Sequence, residues 1–202
     1  MKFKVLAGAL ALVFACSAFA QHDHQQAPAA KPQMDPAMME AMMKAAMPGD
    51  AQKLLDTMTG SWTAKVTTWM MPGADPMVME GTAENKWIMG GRYLQESFTG
   101  NFMGMPFEGV GYTGYDNVKK QYWGTWMDNM STSMMTTTGA TSDAGKSWTF
   151  TGSMADPMTG KDSKVDEKIT VADADHHTME MWGPGPDGKM YKTMEIAYSR
   201  KK

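Results

Sequence analysis

The sequence predicts an all-β fold: about ten antiparallel strands running up and down around a barrel, with a short helical N-terminal extension. Three observations predict it. From Ser61 onward Thr, Val, Tyr, Trp and Phe predominate and alternate in the strand sense. Turn-forming clusters interrupt them at 71–76, 90–91, 103–106, 115–119, 142–146, 156–160, 172–175 and 183–189. The connections between them are hairpin-sized, and a sheet this wide hides its edges best by closing on itself.

Each element follows in order. Residues 1–20 form the pattern of a secretory signal peptide: Lys2 and Lys4, an apolar run from Val5 to Ala15, and the small-x-small site Ala18-Phe19-Ala20. The apolar run is too short to span a bilayer. Export to the periplasm or beyond is expected. Val13-Phe14-Ala15-Cys16 also resembles a lipoprotein processing site, which would place a lipid anchor on Cys16. Residues 21–36 are polar, rich in Ala and Pro, and read as a disordered spacer. Residues 37–59 read as a Met-rich helical segment. Asp35-Pro36 is a helix start, and Met38, Met39, Met42, Met43 and Met47 recur at three- and four-residue spacing before Pro48-Gly49. A second helix begins at Asp50, carries Leu54, Leu55 and Met58, and stops at Gly60.

The barrel occupies residues 60–202, with strands beginning near 61, 77, 92, 106, 119, 130, 147, 162, 176 and 189. The periodicity is clear in two places. Trp148 and Phe150 share one face while Thr149 and Thr151 share the other. Likewise Val165, Glu167, Ile169 and Val171 lie opposite Asp166, Lys168 and Thr170.

Composition narrows the function classes. The single cysteine lies in the leader, which removes disulfide scaffolds, thiolate metal sites and cysteine nucleophiles from the exported form. The net charge of −3 becomes more negative once Lys2 and Lys4 are cleaved, and no basic block is present, so nucleic acid is not an expected partner. The chain has 25 Met, whereas Leu beyond the leader occurs only at 54, 55 and 94 and Ile only at 88, 169 and 196. Ordinary composition does not predict this. The pairs Met77/Met79, Met103/Met105 and Met179/Met181 share faces if extended, as core or cavity positions require.

Gly60-Ser61-Trp62, at a helix–strand junction, resembles the G-x-W signature of the lipocalin and calycin barrels. That resemblance implies that Trp62 closes the barrel base under Arg200 from the last strand. A wider set of motifs comprises Gly90-Gly91-Arg92-Tyr93-Leu94, Gly111-Tyr112-Thr113-Gly114-Tyr115-Asp116, Trp126-Met127-Asp128 and Tyr198-Ser199-Arg200. Together they resemble a family of secreted bacterial proteins of unknown function with a lipocalin-like barrel. The resemblance implies a fold and no activity.

The expected function is non-catalytic binding of a small, mostly apolar ligand inside the barrel. Candidate lining residues are Trp87, Tyr93, Phe107, Tyr115, Trp126 and Trp148, with Glu96 or Asp128 meeting a polar head, and an Arg92–Glu96 or Arg92–Asp128 pair able to orient it. No catalytic residue is assigned. His176 and His177 are the only histidines of the domain, and no nucleophile elbow or carboxylate pair accompanies them. An inward His177 beside Met179 and Met181 would also suit a porphyrin, yet Trp62-Thr63-Ala64-Lys65 lacks the glycine-rich first strand of haem-binding relatives. No cofactor is expected on the main reading. The alternative is periplasmic Cu(I) or Ag(I) binding through Met38, Met39, Met42, Met43 and Met47 with His22 and His24, since thioethers suit soft metals.

Overall fold

The computed structural model describes residues 34–202. The signal peptide, most of the spacer, Cys16, His22 and His24 lie outside the described residues. Helix α1 spans Pro36–Ala46, α2 spans Asp50–Lys53, and a 3-10 turn, Leu54–Met58, leads into the sheet. Ten strands follow: β1 Gly60–Thr68, β2 Met77–Ile88, β3 Tyr93–Phe102, β4 Met105–Asp116 and β5 Gln121–Asp128. The second half comprises β6 Met135–Thr141, β7 Ser147–Ala155, β8 Asp162–Val171, β9 His176–Pro184 and β10 Met190–Arg200.

Every strand pairs antiparallel with its chain neighbours, and β1 closes the ring on β10, with Trp62 opposite Arg200 and Val66 opposite Ile196. The predicted ten-stranded up-and-down barrel is therefore the observed one. The largest departure is the start of β6, expected near 130 and found at Met135. Polar side chains hold the preceding segment as a loop. Asp128 Oδ1 accepts the Met130 amide, and Asn129 bonds both the Glu108 amide and the Pro106 carbonyl.

Two apolar clusters share the interior. One gathers Leu55 and Met58 from the 3-10 turn against Leu94, Tyr122, Trp148 and Phe150, so the helical segment plugs one end of the barrel. The other lines the wall with Trp62, Ala64, Val66, Ala83, Phe98, Ile196 and Tyr198. The plug is anchored by polar contacts with little slack. Gln52, buried, donates to the Tyr115 carbonyl and to Asn117 Oδ1 and accepts the Gly49 amide. Met58 O receives both Trp62 Nε1 (3.0 Å) and Asn85 Nδ2 (2.9 Å).

Arg200 fastens this end. Its guanidinium carbon stands 4.0 Å from the centre of the Trp62 ring. Its nitrogens donate to the carbonyls of Thr59 (2.6 Å), Thr57 (3.1 Å) and Ala174 (2.8 Å). Gly60 makes room for it: φ is +105°, and a Cβ there would stand 2.6 Å from Arg200 Nη1. The glycine, the indole and the arginine are thus one device. Arg200→Lys keeps the charge but not the fork. It is expected to lower unfolding free energy by about 2 kcal/mol, measured by denaturant titration of tryptophan fluorescence.

Candidate functional site

Alternation fixes which residues enter the lumen. On β3 the inward series is Leu94, Glu96 and Phe98; on β8 it is Val165, Glu167, Ile169 and Val171; on β10 it is Met194, Ile196 and Tyr198. Register places Glu96 opposite Asn85 on β2 and Gly111 on β4, and places Glu167 opposite Phe150 on β7 and Met181 on β9. Inward residues near the plug are sealed, as Trp62, Ala83 and Trp148 show with 0% exposure. Those farther along, including Met79, Phe107, Trp126, Met181 and Met194, are half-buried. The interior loosens from the plugged end toward the other.

Glu96 and Glu167 lie at this transition. Tyr198 Oη donates to Glu96 Oε1 at 3.0 Å, and Thr137 hydrogen-bonds Glu167. Burial pushes the Glu96 carboxyl above the usual range, against the Tyr198 bond. Burial, with Glu96 nearby, pushes Glu167 up to about 7. Tyr198 is raised well above the ordinary phenol value by burial and by the Glu96 charge. Among the described residues no Lys or Arg forms an ion pair with either carboxyl.

Trp126 spreads beside this pair. Gly109 and Gly111, its neighbours on β4, leave the space that the indole occupies, and any Cβ at Gly111 would stand 3.1 Å from Trp126 Cε3. The indole N–H donates to Asp128 Oδ2 at 2.9 Å, orienting the ring. His177 lies deeper, stacked on Tyr198 (4.4 Å, 16°) and edge-on to Trp62 (4.4 Å, 83°). Burial, with Arg200 nearby, pushes it down to about 4, so it is neutral at neutral pH.

The predicted site residues divide accordingly. Glu96, Phe107 and Trp126 sit together along the wall. Trp87, Tyr115 and Trp148 face inward but pack on the plug cluster, and Trp87 Nε1 bonds Asp56 Oδ1 (2.7 Å). They fill the closed end. Tyr93 faces outward against Trp123, because it stands one residue out of phase with Leu94 and Glu96. Arg92 pairs with neither Glu96 nor Asp128. It lies in the turn before β3 and donates to the Met89 carbonyl. Asp128 serves Trp126 and a turn amide, and Asp116 caps the amides of Val118 and Lys119.

Sequence reasoning missed Glu167, Tyr198, Asn85 and Thr137 as lumen residues. For Glu167 the signal was present, since it shares a face with Val165, Ile169 and Val171.

Methionine is placed unevenly. Met70 and Met71, Met103 and Met105, Met130 and Met134, Met154 and Met158, and Met190 stand exposed on the five hairpins at the end opposite the plug. Met103 and Met105 therefore ring the mouth and are not core. Met38, Met39, Met42, Met43 and Met47 are likewise exposed in or just after α1. Among the described residues no group of three His, Cys, Asp or Glu is placed to hold a metal ion. No helix among them is long and apolar enough to cross a membrane.

Two open depressions on the outer wall belong to other surfaces. One is framed by Trp69, Pro72, Tyr191 and Lys192, and the other by Thr138, Thr149, Asp166, Lys168 and Trp182.

Residues 47–200 match the family described as protein of unknown function (DUF1579). Among solved structures, Rv2717c from M. tuberculosis superposes with a TM-score of 0.57 at 14% identity, covering 77% of this chain and 100% of its own. That likeness is one of fold. A redesigned beta barrel, b11L5F_LGL, aligns at 16% identity and a TM-score of 0.39 over 76% of this chain and 96% of its own. No curated protein matches the chain.

The two buried groups set opposing pH dependences. Glu167 binds its proton more tightly folded than unfolded. Its contribution to stability is full below its ordinary value of 4.5 and is lost as pH rises through about 7. His177 binds its proton less tightly folded. Its contribution is full above 6.5 and is lost as pH falls through about 4. Stability is therefore expected to peak between these arms, at mildly acidic pH. Glu167→Gln should flatten the alkaline arm, gaining about 2 kcal/mol at pH 8 relative to pH 5, as read from urea midpoints across that range.

Proposed function

The chain belongs to the DUF1579 family, whose function is unknown, so we propose a function read from the barrel itself: an exported, non-catalytic binding protein for a small, mostly apolar ligand. One observation carries the reading. The inner surface passes from a sealed, plugged end to half-buried Phe107, Trp126, Met181 and Met194, with Glu96 and Glu167 at the boundary. An apolar body lies along the aromatic and thioether wall, and a polar head reaches the carboxyls.

The mouth suits the same task. Unbranched thioether side chains reshape at little cost, so a rim of exposed Met admits apolar bodies of differing outline. Export follows from Lys2, Lys4 and the Ala18-Phe19-Ala20 site, which make the periplasm the compartment where the ligand is met.

Native mass spectrometry of the full chain recovered from a periplasmic extract tests this. A lipid-sized mass increment released by organic solvent is expected, at about one per chain. Met181→Trp, which fills the lumen from β9, should reduce the loaded fraction at least about tenfold while the barrel remains folded by circular dichroism. A bare polypeptide mass, or an increment unchanged in the variant, would overturn the reading.

A further inference from the structure

Around Glu96 and Glu167 the wall offers more hydrogen-bond acceptors than donors, and that local imbalance specifies the ligand's head. Glu96 and Glu167 bring four carboxyl oxygens, while the donors that reach them from the wall are the hydroxyls of Tyr198 and Thr137. Asn85, the cross-strand neighbour of Glu96 on the same inner face, adds another acceptor. It is only 7% exposed, its Nδ2 is committed to the Met58 carbonyl, and Oδ1 on the other arm of the amide has no partner. A buried polar atom without a partner costs about 1–3 kcal/mol; Asn85 Oδ1 is such an acceptor beside Glu96, whereas Trp148 Nε1 and His177 Nδ1, also without partners, lie deeper toward the plug.

Among the described residues no cation supplies the missing donor. The strand lysines Lys65, Lys86, Lys164, Lys168 and Lys192 all alternate outward. Lys164 is paired with Asp166, and Lys192 is paired with Glu180 and Glu195 on the outer wall. Arg200 spends its nitrogens on the carbonyls beneath Trp62.

We propose that the lumen selects apolar primary or secondary ammonium compounds, whose N–H donors and positive charge are received between Glu96 and Glu167 while the hydrocarbon body lies against Trp126 and the Met-lined wall. The inference rests on the lumen-binding reading above and deepens it. An ammonium supplies two or three donors to the acceptors around Glu96 and Glu167, and its charge favours the ionised form of a carboxyl pair for which the described residues offer no counter-ion. The neighbouring ring of Trp126 adds a π-face. A carboxylate head would meet like charge, and an alcohol head would bring a single donor.

Binding then couples to pH. The titratable groups facing the head are Glu96 from β3, Glu167 from β8 and Tyr198 from β10, with Asp128 beyond Trp126 on β5 and His177 beneath Tyr198 on β9. Glu167 gives up its proton near pH 7, whereas Tyr198 and His177 keep their neutral forms across that range. An ammonium ligand therefore binds more tightly as pH rises through 7.

The experiment is calorimetric titration of the full chain with three probes of equal length: octylammonium, octan-1-ol and octanoate, at pH 6, 7 and 8. Octylammonium is expected to bind at least about tenfold more tightly than octanol at pH 8, with octanoate weakest. Its affinity should rise about tenfold from pH 6 to 8, while octanol stays level. Glu96→Gln and Glu167→Gln should each reduce the ammonium preference and leave octanol binding within about twofold. Equal binding of octanol and octylammonium, tightest binding of octanoate, or an ammonium preference intact in both Gln variants would overturn the head-group assignment and leave lumen binding standing. Failure of all three probes to bind would overturn both. Should a Gln variant not fold, the wild-type pH profile decides, because a level octylammonium profile contradicts the assignment.

Discussion

Everything in this barrel depends on the contact between Arg200 and Trp62. A ten-stranded up-and-down sheet has two free edges, and here they are the first and last strands, joined along Trp62–Thr68 and Met194–Arg200. Main-chain pairing alone would leave that seam no stronger than any other. The guanidinium over the indole adds a cation–π contact, and three donated hydrogen bonds tie the seam to the carbonyls of the plug and of the β8–β9 turn. Closure of the wall and closure of the floor are consequently one event. Gly60 is the condition for it, because a side chain there would occupy the space that Arg200 Nη1 needs.

A closed floor gives the interior a direction. Tyr122, Trp148 and Phe150 pack on Leu55 of the plug, and glycines on facing strands give the large rings room to lie flat. Gly139 sits under Phe150 as Gly109 and Gly111 sit beside Trp126. Aromatic volume is thereby concentrated along part of the wall. Farther from the plug the inward side chains include the thioethers of Met79, Met181 and Met194 beside Phe107 and Trp126, and thioethers fill space without fixing it. The scarcity of Leu and Ile thus has a structural counterpart: rigid packing at the floor, adaptable packing toward the mouth.

The fold was legible because its signals are local. Period-two alternation and hairpin turn chemistry each act over a few residues, and ten repetitions of them leave little choice of topology. The Gly60–Trp62–Arg200 device was legible only through resemblance, since nothing local connects positions 140 residues apart. The site was harder to read. Parity decides whether a residue faces the lumen, and a one-residue error moves Tyr93 from the wall's inside to a contact with Trp123 outside. Which inward residues lie together depends on strand tilt and register, so the Glu96–Tyr198 bond, spanning 102 positions, has no sequence signature. Glu167 was visible as an acid among β-branched neighbours and Glu96 was a candidate from the start, but nothing local showed that the two lie near one another. The methionine rim was hidden for a related reason, because each hairpin contributes one or two residues and only the closed ring assembles them.

The carboxyl pair remains the feature that packing does not explain. The positions flanking Glu167 on its own face are Val165 and Ile169, and those flanking Glu96 are Leu94 and Phe98. Apolar side chains are therefore accommodated on both sides of each acid. Replacing buried ionic groups by well-packed apolar ones is commonly neutral or stabilising, so packing of the wall does not call for acids at these positions. Tyr198 and Thr137 offset part of the desolvation, yet burial still holds both carboxyls above their usual range. A pair of acids kept in an apolar lumen, beside an amide oxygen with no donor and with every strand lysine turned outward, is an arrangement left incomplete by the chain itself. On the proposed reading, what completes it arrives through the mouth, carrying donors and positive charge on an apolar body.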